Sequence, residues 1–372
     1  MASKALTSPF PPGGRLAGLD VLRGFDMFWI LGMEAVGAAL AKASNAPWAH
    51  FAASQLDHAP WAGFHFLDLV FPLFVFISGV SLVFSLDKSL AAGRPATLRK
   101  LLQRALLLYF LGLLCYGGIA KGLDGVRWLG VLQRLAICGL AGGLAYLYLT
   151  KRGRLLALCA LLGGYWALLR FAPVPGFGPG DFAEGHNFAN WIDAQYLGGF
   201  KWNGNHDPEG LLSTLPACAT ALLGVLAGDY LKHSPSPLWR QILGLAATGA
   251  ALAALGWAWH PFFPVIKKIW TSSFVLVAGG YSLLLLALFL ALVDGCKLRR
   301  GFAPFLWIGM NPITLYLSHK LVPYEEISLS LLGGPLAAAC GPWGPLLLAC
   351  GPVLLALALA RFLYARNLFL RV

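Results

Sequence analysis

The chain has 372 residues, 58% of them hydrophobic and only 12% charged, with a formal net charge of +12. A soluble domain carries about 25% charged residues, so this much apolar surface cannot be hidden in one water-soluble core, and lipid must be part of the solvent. The positive charge does not indicate a nucleic-acid partner: Lys and Arg lie in short loops between apolar segments, with no basic run interleaved with aromatics.

Residues 1–19 form a Pro/Gly-rich segment assigned to the cytoplasm. No small-residue cleavage site follows the first apolar stretch, which is therefore expected to stay as a span rather than act as a signal peptide. A helical span needs about 20 mostly apolar residues. Ten segments meet that need, roughly 20–41, 64–86, 101–119, 129–149, 154–171, 211–231, 239–259, 270–293, 302–320 and 338–360. The expected fold is an all-α, polytopic bundle of about ten transmembrane helices, with residues 20–372 as a single domain. With the N-terminus placed inside, 19 Lys/Arg fall in inner loops and 7 in outer ones, a bias that puts both termini in the cytoplasm. The long loop 172–210 then lies outside, where its Gly, Pro, Asn and aromatic residues read as a lid or binding loop. Seven scattered cysteines without a CxxC pair indicate neither a disulfide framework nor a zinc site, and no metal is expected.

The stretch from Gln55 to Gly79 is the first candidate site. His58, Trp61 and His65 precede an apolar run that carries Asp68 near its start and Pro72 below. Ionisable residues at membrane depth are functional candidates by default. With Pro60 opening a helix, Asp68 would lie about two turns in. It would either orient an imidazole as a general base or pair with an Arg to lock two helices.

Further along, Gln133 and Arg134 fall one turn into the fourth span. Arg134 needs a counter-ion at that depth, and Asp68, Glu34 or Glu209 could supply it. Asp20 and Arg23 are spaced to pair on one helix face, and Glu34 lies two to three turns on. His206-Asp207-Pro208-Glu209 reads as a helix N-terminus, with Asp207 as cap and Pro208 at the first position. His206 and Trp202 are left to contact a sugar. Asn311-Pro312 interrupts the ninth span in a way that suits a cavity lining, and His319 is the rival to His58 as a base. No GxxxxGK[ST] or GxSxG motif occurs, and GFGPG at 176–180 opens no helix.

Taken together, RLAGLDVLRGFD, HAPWAGFHFLDLVFPLFVFISGVS, GVLQRLAIC, DPEGLLSTLPACATALLGVLAG, KKIWTSSFVLVAGG and WIGMNPITLYLSHK resemble, in that order, the heparan-α-glucosaminide N-acetyltransferase family. The resemblance covers nearly the whole chain from about Arg15, and implies a bacterial inner-membrane, multi-pass relative lacking the family's N-terminal luminal portion. It implies an enzyme that moves acetyl from cytosolic acetyl-CoA to the amino group of a glucosamine-type sugar on the exterior side. The family's active-site histidine falls on His58, and an asparagine that the family places late in the first span falls on Glu34. On this resemblance Glu34, Asp68 and Asn311 would orient the imidazole or bind the oxyanion. Arg99, Lys100, Arg104, Arg152, Arg299 and Arg300 would meet the polyanionic end of CoA at the cytoplasmic mouth. Trp61, Gln133, Arg134, Trp202, His206, Glu209 and His319 are the candidate acceptor contacts. The partners implied are the bilayer and the amino sugar, with a homodimer left open. The alternative is an amino-sugar transporter without covalent chemistry, which intramembrane carboxylates and broken helices also suit.

Overall fold

The computed structural model describes residues 16–369 apart from residue 121. Most of the 1–19 segment lies outside these residues, as do Lys4, Arg15, Lys121 and Arg371 from the charge argument. In chain order the helices are α1 (Ala17–Ile30), α2 (Met33–Ala43), α3 (Pro47–Gln55), α4 (Phe66–Leu90), α5 (Arg94–Cys115), α6 (Val131–Tyr148), α7 (Lys151–Phe171) and α8 (Phe188–Tyr196). They continue as α9 (Thr214–His233), α10 (Leu238–Trp259), α11 (Ser272–Phe289), α12 (Ala303–Met310), α13 (Pro312–Leu321), α14 (Tyr324–Leu332), α15 (Pro335–Ala339) and α16 (Gly344–Ala365). The described sheet is a two-stranded hairpin, β1 (Pro173–Val174) with β2 (Gly178–Pro179).

Among the described residues, seven helices are long and apolar enough to cross a membrane, and the α1–α2 pair, bent by 53°, makes an eighth if it counts as one span. The ten expected segments all fall on helix. The two outside this set are α5, whose first half carries Arg94, Arg99, Lys100 and Arg104, and α12–α13, which is split at Asn311 and Pro312. Pro312 has no N–H to continue the α12 ladder, so the chain restarts there as a new helix.

The chain packs as two compact units. Among the described residues, one comprises 16–57, 236–246 and 284–369; the other comprises those of 58–235 and 247–283. In the first, α1 packs on α12, and α16 on α2, α12 and α14. Gly24 and Gly309 let the α1 and α12 backbones meet, since a Cβ on either would overlap a carbonyl of the other helix. The side chain of Asp294 accepts from the N–H groups of Ala17 (3.0 Å) and Gly18 (2.8 Å), which satisfies the otherwise open start of α1. Arg23 pairs with Asp20 at 3.0 Å, the i,i+3 pairing that the spacing suggests. The first span is not continuous: Gly32, at φ +108°, turns the chain between α1 and α2. Glu34 is therefore exposed in the first turn of α2 instead of lying deep in an apolar run.

In the second unit α4 packs against α9, with α6 beside both. The sequence reason is a pair of facing glycines. A Cβ at Gly79 would overlap the Ala221 carbonyl, and one at Gly224 would overlap the Phe76 carbonyl. Small residues of this kind let helix backbones approach where lipid offers no hydrophobic drive for association. A second apolar cluster of Tyr165, Leu169, Ala189, Phe263, Ile266 and Ile269, with Trp61, Trp166 and Phe182 against it, supports the loops at one end of this unit.

Candidate active site

The segment 58–65 is not helical; α4 begins at Phe66 with His65 as its N-cap. This corrects the expectation of a helix from Trp61, and it moves Asp68 from two turns deep to the first turn. The physical reason is a capping box. The Asp68 side chain accepts from the His65 N–H at 2.9 Å, while the His65 side chain accepts from the backbone N–H of Asp68. The same Asp68 oxygen, Oδ2, also accepts from the Ala59 N–H at 3.1 Å. The carboxylate thus folds the 58–65 loop back over the helix end, and it is completely buried.

The other oxygen serves His58. Nδ1 of His58 lies 3.0 Å from Asp68 Oδ1, and the imidazole is 44% exposed, so the ring is reachable from outside while its orienting carboxylate is not. A neutral imidazole that donates Nδ1–H to Asp68 presents Nε2 as a base. Asp68 thus faces an imidazole, and among the described residues Arg134 makes no hydrogen bond to it.

Lys267 completes the group, and the sequence reading does not single it out. Its Nζ lies 2.8 Å from His58 Nδ1, 3.1 Å from Nε2 and 3.4 Å from Asp68 Oδ1. The 260–271 loop is fixed against the His58 loop by an antiparallel bridge between Ala62 and Ile266 and by the Gly63 N–H donating to the Val265 carbonyl at 2.9 Å. Thr271 locks the far end of that loop, accepting from the Ile266 N–H at 3.0 Å and donating to the Pro264 carbonyl at 2.8 Å. The IKKIWTSS run is the signal: Ile266, Ile269, Trp270, Thr271, Ser272 and Ser273 are buried, while the two lysines reach out.

Next to this group, Lys268 pairs with Glu184 at 3.0 Å and stands 5.7 Å over the Trp61 ring. Trp61 packs on the apolar cluster and donates its Nε1–H to the Phe182 carbonyl at 2.9 Å. His206 is buried between Asn205, Asn203 and Glu184, with Nε2 3.4 Å from the Glu184 carboxylate.

A second polar cluster lies under the long loop. Arg127 is buried, donates to both oxygens of Asp207 at 2.9 and 2.7 Å, and reaches Glu209 at 2.5 Å. Its guanidinium is covered by the rings of Tyr116 and Trp202, at 4.6 and 5.2 Å. Asp207 and Glu209 do not start a helix as the spacing suggests, because α9 begins only at Thr214. The paired cation holds them in turns instead. Burial pushes the Asp207 carboxyl up, but the Arg127 guanidinium outweighs it and holds the group below the ordinary carboxylate value. Burial raises Glu209, against the opposing pull of Arg127. It also raises Asp193, to about 6, although Asp193 accepts from the Leu211 N–H at 2.8 Å. Gln133 donates to the Arg127 carbonyl at 3.1 Å. Arg134 donates to the Gly210 carbonyl and the Ser213 hydroxyl and lies 5.0 Å over the Trp270 ring, with Nε and Nη1 left without a hydrogen bond among the described residues.

The remaining expected site residues are distributed as follows. Arg99, Lys100 and Arg152 are exposed in the second unit, and Arg104 lines a cleft there with Ser78, Leu82, Leu101, Leu108 and Leu135. Glu34, Arg299, Arg300, Asn311 and His319 belong to the first unit. Asn311 donates to the Leu368 carbonyl at 3.0 Å, and the His319 ring stacks beside Tyr324.

A family model, heparan-alpha-glucosaminide N-acetyltransferase, catalytic, matches residues 15–240, which is more than half of the chain and includes His58, Asp68, Arg127, Arg134 and Glu209. The chain belongs to this family. It is similar to human heparan-alpha-glucosaminide N-acetyltransferase, at 30% identity over 326 residues, covering 71% of this chain and 48% of the human protein. The mouse protein of the same name is 28% identical over 327 residues, covering 71% of this chain and 49% of its own length. The chain thus spans about half the length of the curated relatives that it matches. Of the group described here, Lys267 lies beyond the residues that the family model matches.

Proposed function

We propose that this chain is a transmembrane N-acetyltransferase that passes acetyl from acetyl-CoA to the amino group of a glucosamine-type sugar, with His58 at the reacting centre. The observation that carries the reading is a half-exposed imidazole held 3.0 Å from a completely buried carboxylate at the mouth of an apolar helix, in a chain of this family.

For a CoA ester, the exposed cations Arg99, Lys100 and Arg152 offer partners of the right charge for a polyphosphate end. When bound, acetyl-CoA supplies the activated acetyl group. Asp68 fixes the ring of His58 and its Nδ1–H. Nε2 takes the proton released as the amine becomes an amide and would pass it to the CoA thiolate that leaves as the thioester C–S bond breaks, while Asp68 stabilises the imidazolium in between. Glu184, Lys268 and Trp61 offer an anion, a cation and a flat apolar face next to His58, a set suited to an amino sugar. The Lys/Arg bias supports His58 facing the exterior and the cationic loops facing the cytoplasm.

The test is a proteoliposome holding acetyl-CoA inside and glucosamine outside. Acetylated sugar should form with wild-type protein and be lost with His58→Ala. Acetyl transfer undiminished in His58→Ala overturns the assignment. The breaks at Gly32 and at Asn311-Pro312 favour a second reading, an amino-sugar transporter without chemistry. Uptake of unmodified sugar in the same vesicles, with no acetylated product, would support it.

A further inference from the structure

The acceptor in the proposed reaction is an amine brought within reach of His58, and the chain itself holds an amine there. Nζ of Lys267 lies 2.8 Å from Nδ1 and 3.1 Å from Nε2, so it rests over the imidazole, with Asp68 Oδ1 3.4 Å away as counter-charge. A general base works from about 2.6–3.2 Å, and Lys267 meets that distance. Its backbone is fixed. The loop is bridged to the His58 loop at Ala62 and Ile266, and its turn is closed by the N–H groups of Trp270 to the Lys267 carbonyl (2.9 Å) and Thr271 to the Ile266 carbonyl (3.1 Å). Trp270 ends the turn at φ +52°, which a bulky residue seldom adopts. Burial of its ring and the Nε1–H donated to the Thr220 hydroxyl at 3.1 Å hold it there. The adjustable part is the flexible four-carbon stem of Lys267, whose rotation carries Nζ from over the ring to the Nε2 lone pair. Lys268 is the contrast: it pairs with Glu184 at 3.0 Å and is the more exposed of the two, 29% against 19%. Unassisted acetylation from solution therefore favours Lys268, and acetylation assisted by His58 favours Lys267.

From this placement we infer that Lys267 is an internal acetyl acceptor, a self-acetylation site that takes the acetyl group when no sugar is bound. The inference rests on the proposed acetyl transfer. The Lys267 ammonium gives one proton to Nε2 of His58, and the neutral amine attacks the thioester carbonyl. The C–N bond forms and the C–S bond breaks. A second proton leaves the nitrogen as the amide forms; the departing CoA thiolate takes one of the two protons and solvent takes the other. The balance is one lysine ammonium and one acetyl-CoA in, and one N-acetyl-lysine, one CoA thiol and one proton out. Acetylation removes the charge and with it the attraction to Asp68. The amide then fills the space beside the ring that an acceptor amine needs, so the acetylated chain is a form closed to sugar.

The experiment uses the full chain in nanodiscs with acetyl-CoA, carbon-13 labelled in its acetyl group, and no sugar. Peptide mass spectrometry after chymotryptic digestion reads the label at each lysine over time. Wild-type Lys267 should be labelled faster than Lys268 by on the order of 10²-fold. The label should survive hydroxylamine, which strips acetyl from an imidazole but not from an amide. In His58→Asn, Lys267 should fall to the rate of Lys268. Labelling of Lys267 no faster than Lys268, or undiminished in His58→Asn, overturns the inference. Glucosamine added to the labelled wild-type protein should be acetylated more slowly in proportion to the fraction labelled, and a rate undiminished at full label overturns the closed form. The same preparation, given glucosamine from the start, separates the two readings. Acetylated sugar from a chain whose Lys267 takes no label without sugar overturns self-acetylation and leaves the sugar transfer standing. Labelled Lys267 with no acetylated sugar does the reverse, and neither product overturns both.

Discussion

Asp68 Oδ1 stands 3.0 Å from His58 Nδ1 while its other oxygen accepts the backbone N–H groups of Ala59 and His65. One carboxylate therefore both closes the loop that carries the imidazole and orients the ring. The two jobs separate in mutants. Asp68→Asn keeps an acceptor for one backbone N–H but loses the charge that stabilises an imidazolium. Its kcat should fall by about 10²–10⁴-fold with KM little changed. Asp68→Ala should in addition lose the cap, about 1 kcal/mol or more. Steady-state acetyl transfer and thermal melts of the purified variants measure the two effects. A melting temperature lowered as much by Asn as by Ala would contradict this division.

Arg127 is the buried cation for two acids, Asp207 and Glu209. Arg127→Met should leave both carboxylates without their partner inside the protein and destabilise it by about 3–5 kcal/mol. Arg127→Lys should recover only part of that, because an ammonium cannot match the two-pronged contact to Asp207. Thermal unfolding in detergent checks both, and an unchanged melting temperature in Arg127→Met would count against the network as a structural tie.

The long loop should be best protected in mildly acidic solution. Asp193, raised by burial from an ordinary value of 3.8 to about 6, binds its proton more tightly folded than unfolded. Its contribution is present below the unfolded value and is lost as pH rises through about 6. Burial moves Glu209 in the same direction. Asp207, held below 3.8 by Arg127 against its own burial, acts oppositely: its contribution is present above 3.8 and lost as pH falls further. Hydrogen exchange of peptides from 188–213 should therefore slow between pH 7 and 5, after correction for intrinsic rates, and speed up again in stronger acid. In Asp193→Asn the change between pH 7 and 5 should shrink.

Gly79 and Gly224 should tolerate no side chain. Gly79→Val drives a side chain into the backbone of α9 and should cost about 1–3 kcal/mol or more. Gly164→Ala, where a Cβ meets nothing within 4 Å, should be neutral or mildly stabilising through helix propensity. Paired melts of the two variants decide whether close backbone approach or helix propensity governs this bundle.

Much of the architecture is legible in the residues because lipid imposes a simple rule. A backbone crossing it must satisfy its own hydrogen bonds, so long apolar runs become helices. That rule places all ten expected segments on helix. It also marks the Asn311-Pro312 break, where the missing N–H is written in the sequence. The break at Gly32 is less visible, since one glycine in an apolar run is ordinary in a membrane helix and only its left-handed φ turns the chain.

The site divides in the same way. Composition determines a helical membrane protein. The order of its motifs determines the family, and an imidazole and a carboxylate before an apolar run already place His58 and Asp68 among the candidate site residues. Tertiary structure decides who pairs with whom. Among the described residues, Arg134 has no carboxylate as a hydrogen-bond partner. Arg127, which reads as one more loop cation, takes Asp207 and Glu209. Lys267, 209 residues from His58 along the chain, reaches its ring. Apolar periodicity is a property of neighbours in sequence and survives without a fold. An ion pair between distant loops exists only once packing has paid the entropy of bringing them together.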